Sequence, residues 1–166
     1  NDWNVSNVRN MSHMFENATS FNRRLNIWNV SNVTDMSFMF RNATDFNQPL
    51  DRWEVSKVKD MSHMFENAIS FNKMINTWDV SNVTNMTHMF NNALNFNQPL
   101  NDWNVSNVRN MSHMFENAIN FNYPLDKWNV VKVNMYNSMF KDATYTMVHL
   151  PKKLARQRFY EMNNNT

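Results

Sequence analysis

Residues 28–47 read Trp-Asn-Val-Ser-Asn-Val-Thr-Asp-Met-Ser-Phe-Met-Phe-Arg-Asn-Ala-Thr-Asp-Phe-Asn. Two apolar rhythms follow one another in this stretch. Trp28 and Val30 alternate with Asn29 and Ser31, a period of two that predicts a short strand with one buried face. Met36, Met39, Phe40 and Ala43 then fall at i, i+3, i+4 and i+7, which predicts one apolar stripe of a short helix. In the preceding copy Asn10 stands where a helix N-cap belongs, and Phe21 and Leu25 are single inward anchors on a return segment.

Outward from this stretch the same pattern continues in both directions. Trp3, Trp28, Trp53, Trp78, Trp103 and Trp128 are each 25 residues apart, and the rest of the chain keeps step with them. One copy is too small to cover its own apolar face, so stability is expected from stacking of neighbours. The fold class expected is a leucine-rich-repeat-like repeat solenoid, curved, of six coils, each with a short parallel strand and a short helix. Strands would line the concave side and helices the convex side. A longer period lies beneath: residues 1–18 are identical to 101–118, and Met-Ser-His-Met-Phe-Glu-Asn-Ala recurs at Met11, Met61 and Met111. The outer row Glu16, Arg41, Glu66, Asn91, Glu116, Lys141 mostly avoids like charges on neighbouring copies, worth a few tenths of a kcal/mol per pair.

The expected domains are a repeat array over 1–145, a fragment open at its N-terminal end, then a capping segment over 146–162 and a disordered tail over 163–166. The pattern decays towards the cap: Val131 replaces the serine, Met135 and Tyr136 replace Asn-Met, and Thr146 stands in the phenylalanine column. Pro151, Leu154, Phe159 and Met162 among basic residues predict a short capping helix.

Composition narrows the function classes. There is no cysteine, hence no disulfide framework and no thiolate metal site. No apolar run approaches the roughly 20 residues needed to span a bilayer, so direct membrane insertion is not expected of this segment. Residues 151–166 carry four basic residues against one acidic, while the rest of the chain is nearly neutral. That is no basic stripe for a phosphate backbone, and nucleic acid is not an expected partner. Asparagine supplies 33 of 166 residues and glycine none, so asparagine must serve where turns need positive φ. Asn22, Asn47, Asn72, Asn97 and Asn122 form one column, read as turn-formers or a buried side-chain ladder.

The string at 28–47 resembles the 25-residue repeat of BspA-like leucine-rich-repeat surface proteins, over residues 1 to about 143. That resemblance implies a leucine-rich-repeat-like solenoid displayed on microbial surfaces and associated with adhesion or host contact. It implies no catalytic residues.

The structural core expected is the six tryptophans with Phe15, Phe40, Phe65, Phe90, Phe115 and Phe140, the methionines filling gaps beside them. His13, His63, His88 and His113 share one outer position. They read as solvated polar residues, since no carboxylate or thiol is seen to recur with them at ligand spacing, and neither metal nor cofactor is expected. No nucleophile with a base, no paired carboxylates and no phosphate loop are found, so no enzyme is expected. The candidate binding face is the set of variable outward positions beside the tryptophans: Asp2, Ile27, Arg52, Thr77, Asp102 and Lys127 on one side, and Asn4, Asn29, Glu54, Asp79, Asn104 and Asn129 on the other. The expected function is a non-enzymatic, concave polar surface for a protein or glycan ligand, at a cell surface, secreted or on a virion. The alternative is an intracellular or virion-internal scaffold that self-associates through the open N-terminal end.

Overall fold

The computed structural model describes residues 3–145 and 149–164. The repeats are built from turns. In the first, the N–H of Val8 donates to Val5 C=O at 2.9 Å, Met14 to Met11 at 3.3 Å, Ala18 to Phe15 at 3.1 Å, Phe21 to Ala18 at 2.9 Å and Trp28 to Leu25 at 2.9 Å. His13 and Asn17, the third residues of the Met11 and Phe15 turns, have φ of 62° and 60°. Positive φ at that position is the mark of a type II turn, normally a place for glycine or asparagine. The same two columns are left-handed in the copies that follow, through Phe38 at 59° and Asn42 at 58° to Ser138 at 54° and Asp142 at 56°.

Among the described residues no strand is present and the single helix is α1, Lys152–Asn164. The expected strand-plus-helix, leucine-rich-repeat-like solenoid of six coils is therefore not what this sequence builds. The physical reason lies in where the backbone donors go. From Met11 to Asn17 alternate N–H groups point to the next repeat: Met11 to Asp35 C=O at 2.9 Å, His13 to Ser37 at 3.0 Å, Phe15 to Met39 at 2.9 Å and Asn17 to Arg41 at 2.8 Å. Those between close turns, with Glu16 donating to His13 C=O and Ser12 N–H to the Asn10 side chain at 2.7 Å. Every N–H from Met11 to Ala18 thus has a partner without a helix. An eight-residue helix is marginal by itself, so bonds between repeats win. Asn10 is an Asx-turn residue and not a helix cap.

Neighbouring repeats meet in parallel at single bridges, Asn10 with Asp35, Asp35 with Asp60, Asp60 with Asn85, Asn85 with Asn110 and Asn110 with Met135. Between them runs one continuous core in which Phe40, Phe65, Phe90, Phe115 and Phe140 are fully buried, as are Met36, Met39, Met61, Met64, Met86, Met89, Met111 and Met114. The phenylalanines stack at 5.5–5.7 Å between ring centres. Trp28, Trp53, Trp78, Trp103 and Trp128 are buried, whereas Trp3 is 68% exposed and Phe15 only partly buried. Each interior indole N–H donates to a carbonyl 28 residues earlier: Trp53 to Leu25, Trp78 to Leu50, Trp103 to Ile75 and Trp128 to Leu100, all at 2.9–3.0 Å. The Trp28 indole nitrogen is buried, with no acceptor among the described residues.

At the other end Thr146 lies outside the described residues, but Tyr145 occupies the phenylalanine column instead. Its ring stacks on Phe121 at 5.5 Å and Phe140 at 5.1 Å, and its hydroxyl donates to Tyr123 C=O at 2.7 Å. Burial pushes its phenol well above the ordinary range. Helix α1 lies over this end: Leu154 is fully buried, buried Arg158 donates to the carbonyls of Phe140 and Ala143, and Lys153 donates to those of Val130 and Val133. Phe159 and Met162, two of the apolar residues that predicted the cap, are more than half exposed. The helix runs through Asn163 and Asn164; residues 165 and 166, the rest of the expected tail, lie outside the described residues.

Candidate functional site

Every described member of the candidate face is exposed: Asn4, Ile27, Asn29, Arg52, Glu54, Thr77, Asp79, Asp102, Asn104, Lys127 and Asn129. Asp2 lies outside the described residues. One column of this face has a structural duty that the sequence reading missed. Asn4, Asn29, Asp79, Asn104 and Asn129 each accept, through Oδ1, the backbone N–H two residues on, at 3.0–3.2 Å. These are Asx turns, which fix the side chain and leave its second polar atom to face a ligand. At Asp79 the bonds from the Ser81 hydroxyl and N–H hold the carboxyl below its ordinary range. In the other column Lys127 and Asp102 pair at 2.8 Å. Asn26, Ile27, Asn29, Ser31, Arg52 and Glu54 rim an open groove of about 470 Å³ over Trp28 and Val30.

Ring rows measure the separation of neighbouring repeats at different places in the cross-section. Along His13, Phe38, His63, His88 and His113 the ring centres are 4.3–4.6 Å apart, and along the tryptophans 6.3–6.4 Å. The rings of neighbouring copies are therefore closer together along the histidine row than along the tryptophans.

That row is paired with the outer charge row. His13 Nδ1 lies 2.6 Å from Glu16 Oε2, His63 2.7 Å from Glu66 and His113 2.6 Å from Glu116. Carboxylates therefore do recur with the histidines, three residues on. The signal was available in the string His-Met-Phe-Glu at 13, 63 and 113. Arg41 bridges two copies, Nη1 to Glu16 at 3.1 Å and Nε to Glu66 at 3.0 Å, and Lys141 Nζ is 3.3 Å from Glu116. Burial opposes ionisation of Glu66 and Glu116, but the histidine hydrogen bonds and cationic neighbours outweigh it, and both carboxyls lie below their ordinary range. His88 has Asn91, not an acid, in the equivalent place. Burial, then the proximity of His63 and His113, holds its pKa low and keeps it neutral.

The asparagine column 22–122 is a side-chain ladder. The Oδ1 atoms of Asn22, Asn47, Asn72 and Asn97 each accept the backbone N–H of the asparagine 25 residues on, at 3.0–3.1 Å, and the ladder is half-exposed, not buried. The left-handed asparagines are a different column, starting at Asn17.

Turn-built units stacked at a fixed register, with each residue type drawn out into a row, define a tandem-repeat protein. The family model described as "Mycoplasma protein of unknown function, DUF285" matches residues 1–80 and again 49–153, and the chain belongs to that family. The overlapping matches reflect the repetition and support a repeat family, without reaching BspA-like proteins in particular. No curated protein and no solved structure matches the chain.

Proposed function

We propose that the chain is a non-enzymatic display scaffold whose exposed row beside the tryptophans binds a protein or glycan, outside a cell or virion, in adhesion or host contact. One observation carries this reading: every described residue that varies from copy to copy on this face is exposed, on a core that hardly varies. Binding would be multivalent, from many weak contacts on a stiff stack. Resemblance to BspA-like surface proteins supports the setting. The test is a screen of the purified chain on arrays of glycans and extracellular proteins, beside an Ile27→Asp/Arg52→Glu variant of equal melting temperature. A signal that falls about tenfold or more in the variant, the loss of one good contact, supports the reading. A signal indifferent to the substitutions, or none, ends it.

A second reading, assembly of chains through the ends of the stack, is favoured by the core, which each copy shares with its neighbours through parallel bridges and stacked rings. Concentration-dependent association in sedimentation velocity, weakened by Trp3→Lys, supports it. A monomer at every concentration removes it.

A further inference from the structure

The histidine row has a feature that neither reading uses. Ligand atoms of His88, His113 and Glu116 lie within 4.8 Å of one another. Their hydrogen bonds fix which ring nitrogen carries the proton. Glu116 is ionised and can only accept, so the 2.6 Å contact places a hydrogen on His113 Nδ1. In the neutral ring His113 Nε2 then carries the lone pair, to which the Asn137 amide donates weakly at 3.3 Å. Ser112 Oγ, donating to Asn137 Oδ1 at 2.8 Å, sets that amide's orientation. For His88 the argument runs through Thr87. Its hydroxyl hydrogen is spent on Ser112 C=O at 3.0 Å, so at the 3.1 Å contact His88 Nδ1–H is the donor. His88 Nε2 is a lone pair too.

We propose that His88 and His113 bind a divalent transition cation of the zinc, nickel or copper class through their Nε2 atoms, with Glu116 as the positioning residue that holds His113. Imidazole pairs select such cations over magnesium or calcium. A carboxylate on the far nitrogen of a ligating histidine fixes tautomer and orientation and raises ligand basicity. Metal–nitrogen bonds of about 2.0–2.1 Å let two nitrogens share one ion only when they are no more than about 4.2 Å apart. The two rings stack at 4.4 Å, so they must rotate inward, along a soft torsion. Lys141 beside Glu116 opposes the cation, but its side chain is 43% exposed and can turn to solvent. Both costs keep the affinity modest.

The fold supplies its own control. Phe38 occupies the same column, left-handed and stacked like the histidines, with no ligand atom, so phenylalanine fits this place. The experiment titrates Zn²⁺ alone into the full chain by calorimetry, beside His88→Phe, His113→Phe, Glu116→Gln and His13→Phe. One saturable equivalent is expected in the unsubstituted chain, weakened about tenfold or more by either of the first two changes. Glu116→Gln should weaken it by about 10- to 100-fold and, without metal, shift the ¹⁵N signals of His113 away from the Nδ1–H tautomer. His13→Phe should leave it within about twofold. In the unsubstituted chain Zn²⁺ should move the Nε2 signals of His88 and His113 only, which checks the assignment even if a variant unfolds. No saturable binding, binding that survives both His88→Phe and His113→Phe, or shifts at other histidines would overturn the proposal.

Discussion

Residues 1–18 and 101–118 are the same eighteen residues in two places. Trp103 is 3% exposed and Trp3 68%; Phe115 is fully buried and Phe15 only partly. Trp103 donates its indole N–H to Ile75 C=O. The His113 side chain is 29% exposed and that of His13 54%. Nothing in the residues themselves makes them core. A neighbour on each side does, and so the stability of this chain is a sum over interfaces between copies and not over the copies.

Substitution at equivalent positions would break that comparison or sharpen it. The largest contrast is expected for tryptophan. Trp78→Ala should cost about 3–5 kcal/mol in urea unfolding, and Trp3→Ala no more than about 0.5 kcal/mol. Equal costs would mean that stacking does not create the core. Next comes a term set chiefly by the backbone of the turn, since the side chains of Asn17 and Asn117 each make one bond to a neighbouring copy. Asn17 and Asn117 have φ of 60° and 55°, and alanine at either should cost about 1–2 kcal/mol, with glycine close to neutral. A large difference between the two sites in the same unfolding assay would show that the turn is held by the stack and not by its own residue. The smallest effect concerns Glu16 and Glu66, the end and interior partners of Arg41. Both carboxyls lie below their ordinary value of 4.5, Glu16 chiefly through the His13 hydrogen bond, and Glu66 against the opposing effect of burial through the bond to His63. A lowered carboxyl stabilises the fold above its unfolded pKa, and that contribution is lost as pH falls through the folded one. Melting temperatures should therefore drop between about pH 5 and pH 3, less steeply in Glu16→Gln and in Glu66→Gln. An unchanged slope in both would mean that neither the histidine bonds nor the Arg41 bridge holds these carboxyls in solution.

The 25-residue period, the inward set and the exposed face were legible because burial and repetition both leave marks in residue type. The secondary structure was not. Met11, Met14, Phe15 and Ala18 satisfy a helical stripe, but they are also the first and last residues of two successive four-residue turns, and spacing cannot tell these apart. What separates them is the residue between: His13 and Asn17 must be left-handed, and a glycine there would have announced it. In a chain without glycine the asparagine column at 17, 42, 67, 92 and 117 was the readable trace. The pairing of His63 with Glu66 was legible as well, three residues apart, once those two are taken together and not as separate columns. The hydroxyl of Thr87, which sets the tautomer of His88, could be found only from coordinates.

The contacts that join one copy to the next, backbone bonds, asparagine ladder and ring stacks alike, link residues about 25 positions apart, and the rest lie within a copy. A recombination event that adds or removes one whole unit therefore leaves each surviving contact with a partner of the same kind, and disturbs only the junction. Length in such a chain is a free variable, open to change in single steps without a new fold having to be found. The eighteen residues shared by the first and fifth copies are what such copying would leave behind.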